Sequence, residues 1–398
     1  MSAESTVLEL EGRSPLARHA PGAVLTLVLL SLGHFFIDMY SSALGALQPV
    51  LVDKFRMSLT QAGILGGMLL FSSSVMQLFY GWLSDRFHTR LFSALAPAVA
   101  GVFISSLGLA PGFAWLLLMV FLGGAGIASF HPQASANATA GLVRGRGRAM
   151  AIFISSGTAG LALGPLFFSQ ISGRFGLEKT PWASVPGILV AVLLMVFLPL
   201  HTAPVKPTKW IDWQPFVPVW RPMLLLYLIV FIRSTIQVTY TQFLALYLHL
   251  ERGYSHERAS VILTLYLAGA AIGGFIGGNL ADRFGYYRIN VISMGASLPF
   301  LFLFLFTTGT PSIVGLVVGA AILLFTVPVN VVMAQRLLPS QTSTVSALMM
   351  GFAWGMAGLV LIPLTGVLAD HFTLHRTLIA WLIFPVIGLF LTLKLPKD

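Results

Sequence analysis

Gly81-Trp82-Leu83-Ser84-Asp85-Arg86-Phe87 and Gly278-Asn279-Leu280-Ala281-Asp282-Arg283-Phe284 carry one pattern, Gly-x-Leu-x-Asp-Arg-Phe, at two places 197 residues apart in a chain of 398. A separation so close to half the length reads as a tandem duplication. Each copy closes a long apolar segment and opens a short charged turn. The repeated unit is therefore a set of helices in lipid, and a chain built from two such sets points to a transporter.

Composition agrees: 57% of residues are hydrophobic and 9% charged, and the mean hydropathy is +0.87. Crossing a bilayer takes about 20 apolar residues. Such stretches are predicted near 23–50, 59–82, 91–109, 113–134, 148–171, 182–200, 223–248, 259–280, 289–307, 313–337, 345–369 and 377–393, six in each half. They are continuously apolar, whereas strands of a membrane barrel alternate residue by residue, so the expected fold is all-α. The expected organisation is a cytoplasmic N-terminal tail over 1–22, a six-helix bundle over 23–200, a cytoplasmic linker over 201–222, and a second six-helix bundle with a short tail over 223–398. The linker is proline-rich and holds Lys206, Lys209, Trp210 and Trp213, with the tryptophans suited to the membrane interface. The tail carries Glu4, Glu9 and Glu11 and lacks the pattern of a cleaved signal peptide, so the first helix is expected to serve as its own insertion signal. There is no cysteine, which excludes disulfides and thiolate metal sites.

Orientation follows from the basic residues. With both termini cytoplasmic, the inside carries 15 of the 23 lysines and arginines, among them Arg86, Arg90, Arg144, Arg146, Arg148, Arg283, Arg288 and Arg336, and the outside carries 7. That bias obeys the positive-inside rule and accounts for a net charge of +10 without nucleic acid as a partner. The expected location is the inner (cytoplasmic) membrane, multi-pass.

Twelve helices in a six-plus-six repeat, with Gly-x-Leu-x-Asp-Arg after helices two and eight, resemble the major facilitator superfamily. Within it the chain is similar to the fosmidomycin-resistance branch of drug exporters at four places. These are Ser31-Leu32-Gly33-His34 with Asp38-Met39, Ser129-Phe130-His131-Pro132, Ala334-Gln335-Arg336-Leu337-Leu338-Pro339, and Gly351-Phe352-Ala353-Trp354-Gly355-Met356-Ala357-Gly358. The resemblance implies two bundles around a central cavity lined by helices one, four, seven and ten, with alternating access by rocking of the halves. It departs at Gln133 and Asn137, where members of the branch often carry an acidic residue and an arginine.

Ionisable groups in hydrocarbon are costly, so each needs a partner or a function. Asp38 is the one carboxylate placed deep in a predicted helix, Arg233 the one such base, and His34 and His131 the mid-helix histidines. His34 and Asp38 are four apart and share a helix face. They are the expected proton-coupling pair, with His34 alternatively just orienting the carboxylate. Arg233 lies in helix seven, the duplication partner of helix one, on a stripe continued by Gln237, Tyr240 and Thr241. Arg233, His131, Gln133, Gln237 and Tyr240 are the expected substrate-binding residues, with His131 alternatively satisfying a carbonyl freed by Pro132. Asp38 and Arg233 are expected to meet across the cavity and compete, an anion that captures Arg233 releasing Asp38 to take a proton. A fixed buried ion pair is the structural alternative.

Gly81, Asp85, Arg86, Gly278, Asp282 and Arg283 are the expected gating residues, the glycines for close helix approach and the aspartates for capping or pairing with nearby arginines. Gly157, Gly160, Gly164 and Pro165 resemble the core of the superfamily's antiporter motif, with packing the first reading of small residues at this spacing. The expected function is secondary transport, a proton-coupled efflux antiporter for a small anionic or amphipathic compound of the drug-resistance type. The alternatives are a metabolite importer or facilitator, and a non-transporting receptor. No cofactor beyond the proton gradient, no enzymatic activity and no metal are expected. Partners are substrate, protons and lipids, and the state is a monomer.

Overall fold

The computed structural model describes residues 22–87, 89–142, 145–199 and 214–396, with only the backbone of Asp85 and Ser343. The expected N-terminal tail over 1–22 therefore lies almost wholly outside the described residues, as does 201–213 of the expected linker.

Among the described residues the chain is helical throughout, without a strand. The helical segments are α1 (Ala23–Phe55), α2 (Leu59–Ser84), α3 (Leu91–Ser105), α4 (Phe113–Asn137), α5 (Arg146–Phe175), α6 (Leu177–Phe197), α7 (Gln214–Leu250), α8 (His256–Phe284), α9 (Tyr286–Phe306), α10 (Gly309–Leu337), α11 (Thr344–His371) and α12 (Leu374–Thr392). Eleven are long and apolar enough to cross a membrane. The exception is α3, whose 15 residues extend about 22 Å before a short 3₁₀ turn, Leu107–Leu109, replaces the continuous helix expected over 91–109. The described residues assigned to the linker, 214–222, are helical rather than extended. Gln214–Val219 is a 3₁₀ turn that runs directly into helix from Trp220.

Small residues decide how closely the helices approach. A Cβ added to Gly160 of α5 would fall on the carbonyl oxygen of Phe35, and one added to Gly164 on Ser42 and the Met39 carbonyl, so α5 lies directly on the backbone of α1. Such contact supplies dispersion and Cα–H contacts that larger side chains would prevent. Tyr40 pins α6 to the same helix. Its hydroxyl donates to the Ala183 carbonyl and accepts from the Gly187 N–H, both at 2.9 Å.

The first six helices meet the last six along three seams: α1 on α7, α2 on α11 and α5 on α8. At the end of the molecule marked by Phe55, Leu59, Leu250 and His371 these seams are tight. Gly45 sits on the Thr241 carbonyl, Gly366 on that of Leu59, and a Cβ on Gly63 would come 2.7 Å from the Ile362 oxygen. Asp370 caps α2 across the seam, accepting from the N–H groups of Leu59 and Thr60 at 2.8 Å each and from the Thr60 hydroxyl at 2.6 Å. Those are orphan donors of a helix start, satisfied by a carboxylate from another helix. Midway, the wide turns Phe71–Val75 of α2 and Ala347–Phe352 of α11 lie against each other. Toward the opposite end, Met76–Arg86 packs on α4 and Thr326–Leu337 on α7, α8, α9 and α11. The molecule is closed at one end of its central seam.

The duplication is visible in contacts. A Cβ on Gly81 would lie 3.8 Å from Pro132 of α4, and one on Gly278 would lie 3.5 Å from Pro328 of α10. Both are ordinary van der Waals distances, so the motif glycines are not forced by close approach here. Gly157, Gly160 and Gly164 are.

Replacing Gly160 by alanine is accordingly expected to lower the thermal unfolding midpoint in detergent, a destabilisation of about 1–3 kcal/mol from overpacking against backbone. The same change at Gly274, whose nearest neighbour would be the Leu324 oxygen at 3.9 Å, should be neutral or stabilising, because alanine is the better helix former by up to about 1 kcal/mol. Equal effects at both positions would contradict the packing described.

Candidate functional site

Three ionisable side chains from two helices converge beside α5. His34 and Asp38 stand one turn apart on α1, and Nε2 of His34 is 3.3 Å from Oδ2 of Asp38. His131 of α4 reaches the other oxygen, with Nε2 at 3.6 Å from Oδ1. Their side chains are 10%, 19% and 23% exposed respectively, shielded but reachable. Gly157 of α5 completes the wall, since a Cβ there would meet the His34 ring and lie 2.6 Å from Oδ2 of Asp38. The His34 ring stacks on Phe153, centroids 4.3 Å apart, and meets His131 edge-on at 5.2 Å.

The second contact of His34 sets its chemistry. Nδ1 lies 2.8 Å from the carbonyl oxygen of Phe153. A carbonyl can only accept, so Nδ1 carries the hydrogen, and Nε2 of a neutral ring then presents a lone pair. Facing an ionised Asp38, that lone pair would be repelled. The contact is attractive only when the pair holds one further proton, as imidazolium with carboxylate or as imidazole with carboxylic acid. In either form the shared proton lies between Nε2 of His34 and Oδ2 of Asp38.

Arg233 occupies the interior of α7 and is 6% exposed. Nη1 donates to Oε1 of Gln237 at 2.6 Å and Nη2 to Oγ of Ser234 at 3.0 Å, whereas Nε is buried without a partner. Both partners are neutral, and among the described residues no carboxylate lies within ion-pair distance of the guanidinium. The expected meeting of Asp38 and Arg233 is therefore absent from this conformation. The carboxylate is taken by the two histidines, and the guanidinium is left with unneutralised charge and with its Nε–H unpartnered.

Two residues expected at the substrate are committed elsewhere. Gln133 is buried, and its amide oxygen accepts from the N–H and hydroxyl of Ser93, while its nitrogen donates to the Ser84 hydroxyl and the Thr89 carbonyl. This knot ties α4 to α3 and the end of α2. It uses all the side chain's hydrogen-bonding groups, which explains why an uncharged residue stands here. Tyr240 is fully buried, its ring stacked at 5.7 Å on Tyr266 of α8 and against Phe304 of α9, with its hydroxyl unpartnered. Gln237 is the stripe residue that stays with Arg233, and Thr241 turns its hydroxyl back to the Gln237 carbonyl.

The repeated motif forms other partnerships than expected. Asp282 accepts from the Tyr286 hydroxyl at 2.7 Å, and the Arg336 guanidinium covers the same ring at 4.2 Å. Arg86 lies over Trp82 and Arg283 over Phe284, while Arg90 donates to the Leu198 carbonyl at 2.7 Å. The side chain of Asp85 lies outside the described ones.

Sequence reading passed over Asn330 of α10. It is fully buried, and both its amide atoms lack a partner among the described residues, as do the Trp354 Nε1–H and the Ser31 hydroxyl. A buried amide without hydrogen bonds costs a few kcal/mol. An asparagine two residues after Pro328 in an otherwise apolar run was the available signal.

A family model described as Major Facilitator Superfamily matches residues 30–361. The chain is 29% identical over 396 residues to a Bacillus subtilis (strain 168) protein described as an uncharacterized MFS-type transporter, YfnC, with 95% of each chain covered. It is 28% identical over 382 residues to the fosmidomycin resistance protein of Escherichia coli (strain K12), covering 93% of this chain and 92% of that one. Among solved structures it is similar to a bacterial homolog of the human lysosomal transporter Spinster, at TM-score 0.79 and 17% identity, covering 94% and 97% of the two chains. At that identity the likeness is one of fold.

The assignment of Gln133 to architecture predicts that Gln133→Ala lowers stability by about 1–3 kcal/mol, the penalty for buried groups left unpaired. Arg233→Gln, which removes an unneutralised buried charge and keeps a hydrogen-bonding side chain, should hold or raise stability. Thermal unfolding of the two purified variants in detergent checks both signs.

Proposed function

The chain belongs to the Major Facilitator Superfamily, and on that premise we propose that this multi-pass membrane transporter is a proton-coupled exporter of a small anionic or amphipathic compound. One observation carries the coupling: His34 gives its Nδ1–H to Phe153, so its contact with Asp38 stores a proton. His131, at the other carboxylate oxygen, is the route or second holder for that proton.

Arg233 is the anion site. A planar guanidinium with two neutral partners and a free Nε–H suits a carboxylate, phosphate or phosphonate group, which it can grip through paired hydrogen bonds. Coupling then needs no direct Asp38–Arg233 bond. Proton at the His34–Asp38 pair and anion at Arg233 act on one conformational equilibrium, each through the difference in its affinity for the two states, and exchange of one for the other requires that occupancy by either weakens binding of the other.

In this reading α3 is the twelfth span, α1–α6 and α7–α12 are the two six-helix halves, and both termini are cytoplasmic. The end closed by Asp370 and the glycine seam then faces outward, and the opposite end faces the cytoplasm, where an exporter loads its cargo. The motif around Asp85 and Asp282 would act at the open end, in the opposite state. Similarity to a fosmidomycin resistance protein supports export, and the charge bias supports placement in the inner membrane. The protein works as a monomer, drawing energy from the proton gradient and needing no cofactor.

The test begins with a thermal-shift screen of small carboxylates, phosphates and phosphonates on purified protein, followed by flux in proteoliposomes with and without a pH gradient. Arg233→Ala is expected to weaken ligand binding by about 10–100-fold, the equivalent of one charged hydrogen bond or two. Asp38→Asn should bind and exchange the ligand yet fail to accumulate it against a gradient, because asparagine mimics the protonated acid and cannot release a proton. Uphill flux by Asp38→Asn would refute the coupling site, and flux of the opposite sign would make the protein an importer.

A further inference from the structure

We infer that Asp53, His249 and His256 form a binding site for a divalent transition cation of zinc-like chemistry, and that its occupancy holds the closed end of the molecule shut. The site is separate from the proton store. Asp38 and Asp53 stand fifteen positions apart on α1, about 22 Å of helix. Asp53 comes from the last turns of α1, His249 from the last turn of α7 and His256 from the first turn of α8.

The ligand chemistry is prepared. Nδ1 of His249 lies 2.9 Å from the Tyr254 carbonyl, so it carries the hydrogen, and the Nε2 lone pair is turned towards Oδ2 of Asp53 at 3.6 Å. A metal-bound imidazole is typically oriented by such a hydrogen bond from its other nitrogen. Nε2 of His256 lies 3.7 Å from the same oxygen, and its Nδ1 is buried without a partner among the described residues. The two rings overlap, centroids 3.9 Å apart and 31° between planes. Two imidazoles and a carboxylate oxygen thus converge, all within 4.8 Å of one another.

The spacing separates a cation from a hydrogen bond. An N–H···O bond requires about 2.7–3.2 Å, which neither histidine reaches. Ligands bound to zinc at about 2.0–2.2 Å in a tetrahedron stand roughly 3.3–3.6 Å from one another, and the two nitrogen–oxygen separations, 3.6 and 3.7 Å, lie at and just beyond the upper edge of that range. The side chains are 25%, 38% and 52% exposed for His249, His256 and Asp53, so a hydrated ion can reach them and keep a water as fourth ligand. Two nitrogens and one oxygen favour zinc, copper or nickel over magnesium and calcium. At the proton store the histidines address different carboxylate oxygens, and the backbone of α5 at Gly157 covers the gap between His34 and Asp38, where a cation's shell would have to sit.

Because α1 supplies one ligand and α7 and α8 the others across the seam, the complete site exists only while this end is closed. A cation that binds this state alone shifts the population toward it.

The test uses the full-length chain in detergent, freed of metal by a chelator and titrated with ZnCl₂. Calorimetry should find one tight site per chain and a raised unfolding midpoint, with no response to MgCl₂. The double variant His249→Gln/His256→Gln should weaken binding by more than the roughly 10–100-fold that loss of an outer-shell partner costs, and Asp53→Asn should weaken it independently. His34→Gln/His131→Gln should leave it unchanged. As the chain has no cysteine, a single Thr241→Cys reporter at the Gly45 seam follows opening, and ZnCl₂ should slow its maleimide labelling only while His249 and His256 are present. Absence of tight binding, its survival in the His249/His256 variant, its loss in the His34/His131 variant, or unchanged labelling would each overturn the proposal.

Discussion

The hydrogen bond from His34 to the Phe153 carbonyl is the contact on which the site depends. A carbonyl offers no proton, so the bond dictates which nitrogen of His34 is bare, and that nitrogen faces a carboxylate. The bond exists because α5 lies on the backbone of α1, and that approach exists because Gly157, Gly160 and Gly164 have no side chains. The glycine run therefore has a chemical consequence beyond packing: it brings a peptide oxygen to an imidazole that would otherwise be free to choose its tautomer.

Opposite charges in hydrocarbon are expected to find each other, yet here Asp38 and Arg233 remain apart. Asp38 is surrounded by two groups that can share its proton, and Arg233 by two neutral acceptors. A direct ion pair would neutralise both and leave little affinity for either proton or anion. With the two kept separate, the desolvation cost of the guanidinium is met in part by neutral hydrogen bonds instead of by a counter-charge.

Closure at one end is also a matter of polar groups finding partners. Asp370 from α11 caps the first turn of α2, and Asp53 of α1 is approached by histidines from α7 and α8. These contacts are local to the ends of helices, where a few ångströms of rocking would part them. The glycine and proline contacts between α2 and α11 below them are apolar and shape-dependent. A seam of this kind can close tightly and still separate, because its polar contacts sit at helix ends and the rest of it is apolar surface.

Much was legible in the residues alone. The duplicated Gly-x-Leu-x-Asp-Arg-Phe and the apolar runs between were enough for an all-helical membrane chain, since in lipid each span must satisfy its own backbone and can do so only as helix. The scarcity of ionisable groups in those runs pointed to His34, Asp38, His131 and Arg233 for the same reason. Helical spacing could place His34 with Asp38, but it could not say that His131 would join them, that Gln133 would turn to Ser93 and Thr89, or that Tyr240 would stack on Tyr266. Those outcomes depend on which face of each helix its neighbours cover, and that is decided by packing between segments distant in the chain. Nor does any local pattern link Asp53 to His249 and His256, nearly two hundred residues on. The sequence by itself determined the helices and the short inventory of groups that hydrocarbon would not tolerate idle; only the tertiary structure decided their partners, because a polar group buried in an apolar medium takes whichever acceptor or donor the packing brings within about 3 Å.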